Sequence, residues 1–184
     1  MKQYVKEVLA EYTKSNILAM AIVTLVVVIF VRQFIFEGFF VSGDSMAPTI
    51  LAGDFVLVNK LAYLWDEPER ADIVVAIPRV YPGKVVKRII GLPHEWFMIE
   101  NSRVVIKNSR SEKSVNLDEG YLEFPDTPEV GKTRTNIDPN EYFALGDNRK
   151  VSIDSRELGM IGGENIKGRV FGVVSFKRAT YIGF

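Results

Sequence analysis

From Ser15 to Val31 the chain carries no charged residue, and Ile17 to Val31 is apolar except for Thr24. Adding Arg32 to Phe36 brings the stretch to about the 20 residues that cross bilayer hydrocarbon as a helix. Arg32 would cost ~3 kcal/mol at the bilayer centre, but at the end of the span its long stem snorkels outward. Lys2, Lys6 and Lys14 precede the span. The positive-inside rule therefore puts residues 1–14 in the cytoplasm and everything after Glu37 on the far side. A cleavable secretory signal and the core helix of a soluble protein are the competing readings. The apolar run is long for the first, and no small-x-small cleavage motif precedes the bulky Phe34, Ile35, Phe36, Phe39 and Phe40. Residues 15–36 are read as an uncleaved signal anchor in the cell membrane, crossing it once.

Beyond the anchor, residues 38–184 have room for one ordinary domain, the whole chain being 184 residues long. Short β-rich runs follow one another between turn residues: Phe55 to Val58, Ile73 to Ile77, Val85 to Ile90, Trp96 to Ile99, Val104 to Ile106 and, late in the chain, Val170 to Phe176. Such spacing predicts an all-β domain. Glu100-Asn101-Ser102-Arg103 reads as a hairpin turn. Residues 108–140, rich in charge, Pro and Ser/Thr, read as an exposed excursion with little core of its own.

Composition narrows the chemistry. The chain has no cysteine, which removes thiol nucleophiles, thiolate zinc sites and disulfides together. Its one histidine, His94, excludes a histidine-rich metal site and leaves a Ser/His arrangement only one candidate base. The 23 basic and 23 acidic residues cancel, so no overall field attracts nucleic acid.

Three clusters carry residues able to act. Ser42-Gly43-Asp44-Ser45-Met46-Ala47-Pro48-Thr49 is a turn that can present Ser45 clear of regular hydrogen bonding, as a nucleophile or simply as a turn serine. Val85-Val86-Lys87-Arg88-Ile89-Ile90 sets a lysine inside an apolar run. Burial there would lower the pKa of Lys87 until it accepts a proton, whereas on an exposed edge strand it would stay an ordinary cation. Lys84 is the nearby alternative. The third cluster, Gly146 to Arg156, is dense in hydroxyls and opposite charges: Ser152 can orient a lysine, and Asp147 or Asp154 can pair with Arg156 to stiffen the loop. Three readings remain open on these residues: a Ser/Lys enzyme, a Ser/His enzyme using His94, and a non-catalytic membrane-tethered β module. A self-cleaving repressor is disfavoured, because a membrane span stands where a DNA-binding helix-turn-helix would be.

Behind one anchor and in this order, the clusters resemble the bacterial type I signal peptidases, with the short layout of the Gram-positive enzymes. Ser45-Met46-Ala47-Pro48-Thr49 matches the nucleophile box and Gly53 to Lys60 the strand after it. Lys87-Arg88-Ile89-Ile90-Gly91-Leu92-Pro93 matches the lysine box, and Gly146 to Arg156 the Gly-Asp-Asn-Arg box. The resemblance implies a mostly antiparallel β catalytic domain in which Ser45 attacks the scissile carbonyl, Lys87 is the base and Ser152 orients it, with no metal or cofactor. Its substrates would be exported preproteins, cut after small side chains at the first and third positions before the bond, beside the bilayer and near the translocation machinery. Gly43 stands where some members carry a serine, so oxyanion donors here would come from the backbone, including the Ser45 N–H. His94-Glu95 replaces the usual Gly-Asp, and Lys150 a common Asp or Asn.

Overall fold

The chain opens with helix α1 (Lys2–Phe34), whose stretch Asn16–Phe34 has a mean hydropathy of 2.5 and no residue buried against protein. A core helix would be covered by the rest of the chain, so that reading loses its support. The computed structural model describes residues 2–108, 114–123 and 126–184, with side chains from residue 16 onward. The helix starts well before Ser15 because residues 2–14 contain neither Gly nor Pro to stop it. It ends two residues short of Phe36, where strand β1 (Phe36–Phe40) begins. Lys60 closes this junction: its backbone N–H donates to the Ile35 carbonyl at 2.9 Å and its ammonium to the Gln33 carbonyl at 2.5 Å. A cation is thus placed at the negative end of the helix, and the anchor passes into the β domain without a linker.

Strand β1 pairs antiparallel with β2 (Phe55–Asn59), Phe36 opposite Asn59 and Phe40 opposite Phe55. The first sheet continues through β11 (Ile166–Ser175), β3 (Ile73–Ala76), β4 (Val85–Gly91), β9 (Glu141–Leu145) and β10 (Ile161–Gly162), and β12 (Thr180–Gly183) adds to β11 as an eighth strand. Strand β3 is buried along its whole length and β4 nearly so. That is why β3 reads as an unbroken apolar run, and why β4 is apolar throughout except at Lys87 and Arg88. A second sheet takes the order β7 (Ser114–Asn116), β6 (Arg103–Asn108), β5 (Glu95–Glu100), β8 (Arg134–Asn136). The predicted turn at residues 100–103 joins β5 to β6, with Asn101 and Ser102 both at positive φ.

The segment 108–140 carries more structure than its composition implied. It supplies β7 and β8, the fully buried Ile137 and Thr127, and the buried Glu119, while residues 109–113 and 124–125 lie outside the described residues. Edge pairing and a buried charge hold this segment, and neither produces hydrophobic periodicity.

One core cluster joins the two sheets: Ile90, Phe143 and Leu145 from the first pack with Phe97, Ile99, Val104, Ile106 and Ile137. The rings of Phe97 and Phe143 stack at 3.9 Å between centroids. A second cluster matters more for the site. It buries Met46 and Ile50 completely among Val56, Val58, Ile73, Val75, Val86, Val170 and Val173. These two side chains pin a surface turn into the core. For the joint between the sheets, Phe143→Ala is expected to cost about 3–5 kcal/mol, read as a lower denaturant midpoint of the full chain in detergent, whereas an exposed-residue control such as Val151→Ala should stay near the parent.

Candidate active site

Ser45 begins the turn that Met46 and Ile50 anchor. The Ala47 N–H donates to the Asp44 carbonyl at 3.1 Å and the Ile50 N–H to the Met46 carbonyl at 2.9 Å, so the turn is closed by its own backbone. The Ser45 carbonyl accepts from the Asn148 N–H at 3.0 Å, while among the described residues the Ser45 N–H donates to nothing. A free amide beside a partly exposed hydroxyl is the arrangement a backbone oxyanion donor requires. Gly43, two residues earlier, lines the surface on both sides of Ser45, with open space where a Cβ would stand.

Lys87 comes to Ser45 from the middle of β4, where it lies opposite Val74 of β3. Its Nζ stands 2.8 Å from Ser45 Oγ, and the residue is only 4% exposed. Burial is the largest influence on the amine and lowers its pKa from 10.5 to about 8, against the pull of Asp154 and Asp147 upward, with Arg156 lowering it again. Lys84 is no competitor, since it faces solvent in an ion pair with Glu37. His94 is none either: it sits in the turn into β5, its N–H bonded to the Ile137 carbonyl, and the hydroxyl of Ser45 is met by the lysine instead.

The two carboxylates near Lys87 are each claimed by an arginine. Asp147 receives both Nε and Nη2 of Arg88, at 2.8 and 2.7 Å, and the Thr49 hydroxyl at 2.5 Å. Asp154 receives Nε and Nη2 of Arg156, both at 2.9 Å, and the Gly146 N–H at 3.1 Å. Of the two pairings open to Arg156 in the sequence, the structure makes the one with Asp154. Forked pairing of this kind neutralises each carboxylate where it is buried, so neither is left to hold the lysine as an ammonium. Arg88 continues to the Ala71 carbonyl at 3.0 Å, and its guanidinium lies 4.0 Å from the Tyr121 ring centroid.

The loop from Gly146 to Ser155 approaches Ser45 closely enough that a Cβ on Gly146 would collide with the Ser45 carbonyl and with Ser152 Oγ. Arg149 ties this loop to the segment once read as an excursion, with a forked ion pair to Glu119 and a 2.6 Å bond to the Thr127 hydroxyl. Ser152 is buried in the loop, yet its hydroxyl has no hydrogen-bond partner among the described residues, so the predicted bond to Lys87 is not formed. Around the pair run two open clefts that share Gly43, Ser45, Val85 and Lys87. One, of about 620 Å³, is walled by Tyr81, Val151, Ile153 and Leu158, and the other, of about 300 Å³, by Phe39, Phe40, Val41 and Val86.

The shifted lysine has a consequence for stability. Unfolded, it keeps its proton up to 10.5, and folded only to about 8. Because the unfolded chain binds more protons between those values, stability rises with pH there, and below pH 8 the buried ammonium costs about 3 kcal/mol in full. Lys87→Met is therefore expected to melt higher than the parent at pH 7, with the gain shrinking as pH is raised toward 10.5. An equal or lower melting temperature at pH 7 would contradict the burial argument.

A family model described as signal peptidase, peptidase S26 matches residues 14–175, which include every residue of the site described above. Signal peptidase I S of Bacillus subtilis is 32% identical over 175 residues, covering 89% of this chain and 87% of that protein. Signal peptidase IB of Staphylococcus aureus is 30% identical over 158 residues, 80% of this chain and 82% of the relative. The probable signal peptidase I-2 of Synechocystis sp. is 30% identical over 156 residues, 82% of this chain and 68% of the relative. Among solved structures, a signal peptidase I from Enterococcus faecalis V583 is similar with a TM-score of 0.47 and 26% identity, over 56% of this chain and 97% of that one. With a match running from the anchor through the last strand of the site, the chain belongs to the signal peptidase, peptidase S26, family.

Proposed function

We propose that this chain is a membrane-anchored serine endopeptidase that removes N-terminal signal peptides from exported preproteins, with Ser45 as nucleophile and Lys87 as general base. The observation that carries the assignment is the 2.8 Å contact between Lys87 Nζ and Ser45 Oγ, with the lysine almost wholly out of water. As an ammonium, Lys87 donates to the hydroxyl and holds it inactive. As a neutral amine, it turns a lone pair to the hydroxyl, which then donates. With a pKa of about 8, about one amine in ten is neutral at pH 7.

Acylation starts when neutral Lys87 takes the Ser45 proton as Oγ attacks the scissile carbonyl carbon. The carbonyl oxygen becomes an oxyanion, received by the free Ser45 N–H and the open backbone at Gly43. Collapse breaks the C–N bond, and Lys87 returns its proton to the leaving amine. In the ester Ser45 Oγ no longer has a hydrogen to share, and Ser152, whose buried hydroxyl has no partner among the described residues, orients the amine while it deprotonates the water that attacks the acyl carbon. The second tetrahedral species releases Ser45 with a proton from Lys87, and the dyad is restored.

The substrate lies extended between Val41–Gly43 and Val85–Lys87, along the line shared by the two clefts. Alternate residues of an extended strand face the same way. The first and third side chains before the cut therefore meet one wall, and close approach there favours small ones. With residues 1–14 on the cytoplasmic side, the groove lies at the outer face of the membrane, where the preprotein emerges from the translocation machinery, and the exposed Phe40 lies toward the lipid while Phe39 packs on the core.

Three measurements on the full chain in detergent test this. Ser45→Ala and Lys87→Ala are each expected to lose at least 10³-fold in kcat/KM on a preprotein, and wild-type rates in either would sink the dyad. His94→Ala is expected to stay within twofold of the parent, whereas its inactivity would favour a Ser/His enzyme. The kcat/KM of the parent is expected to rise with pH to a plateau above a midpoint near 8, the free-enzyme pKa of the base.

A further inference from the structure

The turn that presents Ser45 is held from two directions, and only one of them involves the residues discussed so far. From the loop after β9, where Arg88 of β4 holds it, Asp147 accepts the Thr49 hydroxyl. The other hold comes from the chain's last hairpin. Arg178, in the turn between β11 and β12, donates Nη1 to the Pro48 carbonyl at 3.0 Å and Nη2 to the Thr49 carbonyl at 3.1 Å. The same guanidinium bonds the Asp54 carboxylate through Nη2 at 2.9 Å and the Ser175 hydroxyl through Nε at 3.1 Å. Asp54 is fully buried and accepts the Leu51 N–H at 2.9 Å, closing the turn that follows the nucleophile.

The carbonyls of Asp44, Ser45 and Met46 are satisfied by Ala47, Asn148 and Ile50. Pro48 and Thr49 take their only described partner from Arg178. Both bonds are exposed, so the clamp is one of geometry: a forked guanidinium can serve two carbonyls at fixed spacing while remaining paired to a carboxylate, as a lysine cannot. Arg178 lines neither cleft beside Ser45.

We infer that Arg178 is a positioning residue for the nucleophile: by clamping the Pro48 and Thr49 carbonyls against buried Asp54, it sets where Ser45 Oγ stands relative to Lys87. The inference rests on the dyad reading above and adds to it a residue three positions beyond the family match, which ends at 175. Misplacement of a reacting atom by about 1 Å can cost 10²-fold in rate. Loss of the clamp acts on the chemical step and leaves peptide binding and the titration of Lys87 alone.

The test uses the full chain in detergent with a preprotein substrate, comparing the parent, Ser45→Ala, Arg178→Ala and Arg178→Lys. For Arg178→Ala the expected result is a kcat 10- to 100-fold lower, a KM within threefold, a pH midpoint still near 8 and partial recovery of kcat with millimolar methylguanidinium. Arg178→Lys, keeping the charge without the fork, should fall between parent and Ala. Parental kcat in Arg178→Ala overturns the inference. So does a loss that tracks a fallen melting temperature and is not rescued, since Arg178 would then only hold the fold. If the Ala variant does not fold, Arg178→Lys decides by the same kcat criterion, and failure of both to fold counts against positioning. A parent that cuts no better than Ser45→Ala would instead bring down the dyad reading itself.

Discussion

A single contact organises this molecule: a lysine amine removed from water and set against a serine hydroxyl. Keeping a lysine in such a place is unfavourable by itself, and the surroundings make it workable by denying it a counter-ion. The two carboxylates within its field, Asp147 and Asp154, are bound by the forks of Arg88 and Arg156. Their upward influence on the lysine is weaker than the desolvation that lowers it. An unpaired carboxylate in either place would turn Lys87 into the cationic half of an ordinary buried ion pair. The arginines thus do for the lysine what no group touching it does.

The fold supplies rigidity from several directions. Lys87 rises from a central strand bordered by β3 and β9, so its stem cannot drift. Ser45 sits on a turn whose next side chain, Met46, and fifth, Ile50, are wholly inside the core. Ser45 and Lys87 are therefore mounted on one hydrophobic cluster, to which Val86 beside the lysine also contributes. The loop from Gly146 closes over them, its approach made possible by the missing Cβ of Gly146. Residues distant in sequence are held within hydrogen-bond reach without any of them lying on a flexible connection.

Much of this was legible in the chain. The uncharged run to Val31 declared the anchor, and the short β-rich runs became the central strands. Absence of cysteine and a single histidine left serine and lysine as the simplest chemistry, and resemblance to a known family joined two ordinary-looking turns and one strand into one candidate site. The unread parts share a physical cause, because they are pairings between residues with no local signal. Arg88 was visible beside Lys87, but nothing in its run announced Asp147 as its partner. Glu119 and Thr127 lay in a polar segment that resembles solvated loop, and only the buried Arg149 explains why they face inward. Arg178 stands at the far end of the chain from the turn it holds. Ser152 shows the converse: the resemblance supplied its expected role, while its buried hydroxyl meets no partner among the described residues.

The central claim is that Lys87 is a base because it is dry, and the titration of that one amine tests it most directly. With ε-labelled lysine in the full chain, and the Lys87 resonance identified by its loss in Lys87→Arg, the chemical shift can be followed across pH by nuclear magnetic resonance. A midpoint near 8, separated from the exposed lysines, is the result expected of a desolvated amine whose neighbouring carboxylates are already paired. A midpoint at the ordinary 10.5 would mean that Lys87 remains a cation throughout the working range, and the account of the site would fail with it.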